Sequence, residues 1–178
     1  MTTIARITTA ALFATLALTS ACGDKAGADG AKDWSAATLT AQSLTLGGTK
    51  VSWTIPDGLS KDEDLSNDTS IKMKSELGAP SIGLKKESIP PSSLDTAVNT
   101  VGFVFGKGGE TLEQREDAGR YVVVLADAKK NNLMVAHFIP TPAGVFQCQV
   151  AQHISSGVPN FDASVAKFHE ICNSVKAE

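Results

Sequence analysis

Several residue types are scarce in this chain, and each scarcity excludes a class of function. Aromatic residues make up 6% of its 178 positions, with one tyrosine and two tryptophans. So few flat side chains leave no stacking platform for bases or sugars. Neither sign of charge dominates, with 16 Lys plus Arg against 19 Asp plus Glu and a net charge of −3. A chain without basic excess has no counterion-release footprint, so nucleic acid is not an expected partner. Histidine occurs only as His137, His153 and His169, with no two of them four residues apart. The nearest approach to a zinc signature, His169-Glu170-Ile171-Cys172, lacks the second histidine, and no metal is expected. There is no Gly-x-Ser-x-Gly elbow, so no serine is singled out as a nucleophile. Gly106-Lys107-Gly108-Gly109 lacks the spacing of a phosphate loop and follows a helical pattern, which makes it a helix end and turn. No cofactor and no catalytic residue are expected, and the chain is not expected to be an enzyme.

What remains is a composition with 42% apolar and 20% charged residues, ordinary for one globular domain. Residues 1–21 read as an export signal. Arg6 supplies the positive charge, Ala10 to Leu18 a short apolar core, and Thr19-Ser20-Ala21 a run of small residues before Cys22. The apolar core is too short to cross about 30 Å of hydrocarbon. Small residues followed at once by Cys resemble the lipobox of bacterial lipoproteins, with Thr19 where that family usually has Leu. The resemblance implies lipidation of Cys22 and an anchor in the cell envelope. A plain secretory signal cut near Ala21 is the alternative. Gly23 rather than Asp after Cys22 implies sorting to the periplasmic face of the outer membrane. Residues 22–38, rich in Gly, Ala, Asp and Lys, read as a flexible tether, with Trp34 as a residue able to pack on the domain or touch headgroups.

With Cys22 lipidated, Cys148 and Cys172 remain, an even pair in an exported chain. Val145 to Ile154 alternates, placing Phe146, Cys148 and Val150 on one face of a strand and Gln147, Gln149 and His153 on the other. Phe161, Val165, Phe168, Cys172 and Val175 form one stripe at helical spacing, with Asn160 as a candidate N-cap. Two different periods therefore aim both sulfurs at one sheet–helix interface, and a disulfide is expected. His153 and His169 lie on the polar faces of the same two segments and could meet if these pack, but exposed polar faces explain both better.

Residues 39–178 read as a single α+β domain. Leu39 to Leu46 and Thr49 to Ile55 form a hairpin about Gly47-Gly48. Short strands follow at Thr69 to Ser75, with Ile71 and Met73 opposite Lys72 and Lys74, and at Ser81 to Lys86. Pro90-Pro91-Ser92-Ser93 opens a middle helix with Leu94, Val98, Val101 and Phe105 on one side and Asp95 in its first turn. Thr111 to Glu116, Arg120 to Ala128, Leu133 to Ile139 and the Cys148 strand then run with short turns, which forces antiparallel pairing. The expectation is one antiparallel sheet of about six to seven strands packed with the middle helix and a C-terminal helix. Val51-Ser-Trp-Thr-Ile-Pro-Asp-Gly-Leu59 and the Pro-Ser-Ser-Leu-Asp-Thr-Ala helix start resemble the PsbP/Mog1-like sandwich of DcrB-type lipoproteins. That resemblance implies an adaptor or assembly role and brings no catalytic residue.

Lys61 to Asp68 is an acidic loop. Asp62, Asp64, Ser66 and Asp68 alternate as calcium ligands do, but position six is not Gly and position twelve is Met73, so a solvated loop is the reading. Asp62, Glu63, Asp64 and Asp68, rimmed by Leu65 and Ile71, are the candidate partner contact. The expected function is an envelope lipoprotein that binds an envelope protein or assists assembly without catalysis. The alternatives are a periplasmic immunity or inhibitor protein against a secreted hydrolase, and a small-ligand binder with a pocket lined by His137 and Tyr121.

Overall fold

The computed structural model describes residues 32–75 and 80–178. The signal segment, Cys22 and the first ten residues of the expected tether lie outside them. The chain is α+β, with two antiparallel sheets and two α-helices among the described residues.

The first hairpin forms as its turn chemistry demands. Strands β1 (Leu39–Leu46) and β2 (Thr49–Pro56) meet at Gly47 and Gly48, whose φ angles of 53° and 76° are the left-handed values a two-residue turn needs. Next come β3 (Ser60–Lys61), β4 (Ser70–Lys74), β5 (Ser81–Lys86) and α1 (Leu94–Phe105). Ser93 caps α1 by accepting from the Thr96 N–H at 3.2 Å, and Gly106, at φ 89°, ends it. Strands β6 (Gly109–Asp117), β7 (Arg120–Asp127), β8 (Asn132–Thr141) and β9 (Gly144–His153) form the meander, followed by α2 (Phe161–Asn173) and β10 (Lys176–Ala177).

The large sheet has seven strands in the order β3-β4-β5-β9-β8-β7-β6. The expectation of a single sheet needs correction. The hairpin stays outside the large sheet and forms a second one, β1-β2-β10, with the last residues of the chain. The C-terminal helix accordingly stops at Asn173, and Lys176 and Ala177 pair with Ser52 and Val51. Ser174 fixes this exit, since its hydroxyl donates to the Ile171 carbonyl and accepts from the Thr54 N–H.

The small sheet and α2 cover one face of the large sheet, here the inner face. Trp53 and Ile55 from β2 and Phe168, Ile171 and Cys172 from α2 pack there on Ile82, Leu84, Phe146 and Val150. On the outer face, Ala97 and Val101 of α1 meet Val123, Leu125, Ala136 and Phe138. Strands β7 and β8 are therefore buried on both sides, which is why their sequences are almost wholly apolar. Strand β9 alternates between buried and half-buried residues because its outer face is less covered.

The tether boundary also moves. Trp34 is buried in a 3-10 turn (Trp34–Ala36) that contacts α2, so the chain lies on the domain from Asp33 onward rather than from Leu39. Asn160 serves this contact instead of capping α2 with its side chain. Its amide donates to Asp33, and its own backbone is left-handed at φ 44°.

Candidate functional site

The four acidic residues expected to form a contact surface do not behave alike. Glu63, Asp64 and Asp68 are exposed, whereas Asp62 is only 6% exposed. Its carboxylate meets the Lys74 ammonium at 2.9 Å, and that hydrogen bond, followed by the backbone N–H groups of Leu65 and Asp64, holds its pKa below the ordinary range. Ser66 completes the turn by donating to the Asp62 carbonyl and accepting from the Lys72 N–H. Asp62 is thus a brace of the loop and not part of its contact surface.

The loop borders a groove. Helix α1 covers only the β6–β7–β8 half of the outer face, leaving β4, β5 and β9 open beside it. The opening has a volume of about 410 Å³. Leu65 of the loop and Val104 of α1 are among its lining residues, along with Lys72, Gly83, Gln147 and Gln149. The register explains the floor. Lys72 pairs with Gly83 and Gly83 with Gln149, so the three share a face across three strands. Of the nearby cations, Lys74 is held by Asp62 and Lys85 by Glu87. Lys72 has no ion pair among the described residues. Leu65 and Val104 are each 55% exposed, giving the polar floor two apolar rims.

A second polar cluster lies on the inner face, around the disulfide. Cys148 and Cys172 are bonded, joining β9 to α2 as the two periods required, and both residues are fully buried. His137 on β8 stands directly opposite Cys148 in the register, and His169 lies one helical turn before Cys172. The two histidines meet beside the disulfide, with Nε2 of His137 at 2.8 Å from Nδ1 of His169. The exposed polar faces expected for both His153 and His169 hold for His153, which is exposed and meets Asn132 at 2.6 Å, and not for His169, which turns toward the sheet. The structure also removes the pocket imagined between His137 and Tyr121. His137 faces inward and is fully buried, whereas Tyr121 packs on the outer cluster beneath α1.

The row continues outward. Nε2 of His169 lies 3.3 Å from Oε2 of Glu113, whose Oε1 accepts from Nε of Arg115 at 2.7 Å. With the Glu113 carboxylate as acceptor at 3.3 Å, hydrogen is assigned to Nε2 of His169, and its Nδ1 is left to accept from His137. Nε2 of His137 is then the donor, and its Nδ1 keeps a bare lone pair. That atom is buried with no partner among the described residues. Burial pushes the His137 pKa down to about 3, with His169, Arg120 and Arg115 adding to the effect. Burial also lowers the His169 pKa, opposed by Glu113 and assisted by Arg115. Both rings are neutral at pH 7.

Two signals for this row were present in the sequence. His137 occupies an inward position in the alternation Leu133-Val135-His137-Ile139, and His169 is four residues after Val165, beside the apolar stripe. Among the described residues, no three His, Cys, Asp or Glu side chains are arranged to hold a metal. No helix among them is long and apolar enough to cross a membrane. Compared with known proteins, the chain matches no family model and no curated protein sequence.

Proposed function

We propose that this chain is an envelope lipoprotein, anchored through Cys22, whose domain is a PsbP/Mog1-like sandwich acting as a non-enzymatic binding or assembly module. The observation that carries the reading is the uncovered half of the outer face. A domain that closes one side of its sheet with a helix, a second sheet and a disulfide leaves β4, β5 and β9 open on the other. A groove with an ammonium that has no ion pair among the described residues, two amide side chains and apolar rims suits an extended segment of a protein bearing carboxylates. The loop that carries Glu63, Asp64 and Asp68 borders this groove through Leu65.

Export is supported by the signal pattern of residues 1–21 and by the buried disulfide, which persists in oxidising compartments. Lipidation of Cys22 rests on the lipobox pattern, and mass spectrometry of the mature protein tests it by the diacylglyceryl mass at its N-terminus. The binding reading is tested by capture from detergent-solubilised envelope with the wild type, Lys72→Glu and Val104→Glu. A partner retained by the wild type and lost by both variants supports the groove. A partner retained equally by all three overturns it, and turnover of any substrate by the purified protein overturns the non-enzymatic role.

A further inference from the structure

We propose that the His137–His169 pair is an acid-sensitive latch. It holds α2 on the large sheet at neutral pH and frees the N-terminal part of α2 on acidification, with the Cys148–Cys172 bond retaining the helix as a hinge. This inference is independent of the groove on the opposite face.

Three features of the site carry it. The first is the placement of the ties on α2. Its C-terminal end is held by the disulfide at Cys172, by the Arg120–Asn173 hydrogen bond at 2.7 Å and by Ser174 on Thr54. His169 makes the next polar tie toward the N-terminus, one turn away, on the same rung of the sheet as the disulfide, with Phe168 buried in the inner core beside it. Beyond it, α2 carries Asn160 and, through it, Asp33 and the Trp34 turn. Loss of the histidine tie therefore leaves only apolar packing by Phe161, Val165 and Phe168 to hold this part of α2, and makes its lifting more frequent while the disulfide prevents departure.

The second feature is the directionality of the hydrogen bonds. The row from Glu113 to His169 to His137 works only with one hydrogen on each ring, because the carboxylate at one end fixes both tautomers. A proton taken up at Nδ1 of His169 turns that acceptor into a donor facing the Nε2–H of His137. Two donors at that separation repel. The one rearrangement that restores the bond moves the His137 hydrogen from Nε2 to Nδ1. That places a buried donor where the described residues offer no acceptor. Either outcome is unfavourable while α2 is docked, and neither is once α2 has lifted and water reaches the rings.

The third feature is the surrounding charge. On the β6 and β7 side, His137 and His169 face Glu113, Arg115 and Arg120, and on α2 Lys167 and Glu170 pair with each other at 2.8 Å. Glu113 alone favours an imidazolium, and Arg115, which engages that carboxylate at 2.7 Å, offsets it. His169 is partly accessible, with 16% of its side chain exposed, so protons have a route to the pair.

The experiment is hydrogen exchange of the mature full-length protein at pH 7.5 and pH 5.5, corrected for intrinsic rates and read separately on α2 and on β7–β8. If the rings titrate near 6.5 only when α2 is open, opening of α2 increases about tenfold over this interval for one released histidine and about a hundredfold for two. Because α2 opens at a lower free energy than the whole fold, it exchanges faster than β7–β8 at both pH values, while the protection of β7–β8 falls only with global stability. His169→Gln, which keeps an acceptor for His137 but does not titrate, retains α2 protection at pH 7.5 and loses at least the tenfold share. An α2 response below twofold, exchange of α2 no faster than that of β7–β8 at pH 5.5, or the full response in His169→Gln overturns the latch. An independent readout uses the wild type alone. Ring nitrogen NMR at pH 5.5 is expected to show His137 neutral, with hydrogen on Nε2, in the molecules whose α2 is docked. A charged His137 ring beneath a fully protected α2 also overturns the proposal.

Discussion

The two faces of the seven-stranded sheet are built by opposite rules. The inner face is closed by α2 and the small sheet, carries Trp53, Phe146 and Phe168 without exposure, and is joined across its layers by a covalent bond. The outer face is closed over β6, β7 and β8 only, by a helix that contributes Ala97 and Val101 as its buried residues. The same strands serve both, so the difference is written in alternate residues. In β9 the inward set is Phe146, Cys148 and Val150, and the outward set is Gln147, Gln149 and Ala151. Apolar area and cross-linking concentrate stability on one side, which allows the other to keep polar, open surface for contact.

That division is open to direct attack. The largest loss is expected for Phe168→Ala on the inner face, about 3–5 kcal/mol by denaturant unfolding, because a fully buried ring leaves a cavity among closely packed neighbours. Removing the disulfide with Cys148→Ala and Cys172→Ala together is expected to cost about 3.5 kcal/mol by the same measurement, from the entropy regained by a loop with a sequence separation of 24. Acidification is expected to act next. His137 has a folded pKa of about 3 against an unfolded value near 6.5. A depressed histidine pKa means that the unfolded state binds the proton first. Stability is thus full above about 6.5 and falls as pH drops toward 3, by up to about 1.4 kcal/mol per pH unit for each such histidine. Unfolding midpoints measured from pH 7 to pH 4 check this, and His137→Gln should flatten the curve. The smallest effect belongs to the outer face. Lys72→Glu and Gln149→Ala are expected to shift stability by within about 0.5 kcal/mol, since neither breaks a buried contact. A loss above about 1 kcal/mol at either position would show that the open half-face is structural after all.

Within the acidic loop the same contrast appears on a smaller scale. Asp64→Asn is expected to leave the melting temperature unchanged, whereas Asp62→Asn lowers it, because only Asp62 braces the turn through Lys74. The sequence showed four similar acids at this loop, and nothing local distinguishes them. Asp62 turns inward because β3 pairs with β4 and brings Lys74 to it, a contact between residues twelve apart.

Much of the architecture was legible from period and punctuation. The Gly47-Gly48 turn, the Ser93 cap, the break at Gly106 and the alternation in β9 each follow from a few neighbouring residues. The disulfide was legible for the same reason, since two local periods aimed both sulfurs inward. The histidine pair was only half legible. His137 stood on the inward side of β8 and His169 beside the helical stripe, yet His169 read as part of an exposed polar face, and only the packing of α2 on β8 turns it to His137.

By itself, the sequence determined which side of the main strands and helices is buried and where the turns at Gly47-Gly48 and Gly106 fall, because side-chain direction repeats with the local backbone and turns depend on a few residues. Tertiary structure alone decided what lies across from each buried side. The hairpin joined the last two residues of the chain instead of the large sheet, Asp62 found Lys74, and His137 met His169 and Glu113. Periodicity fixes the face a residue presents but holds no information about the residue it meets. That choice is made by packing between segments far apart in the chain, where burial of area, donor–acceptor matching and closure of the core are satisfied together.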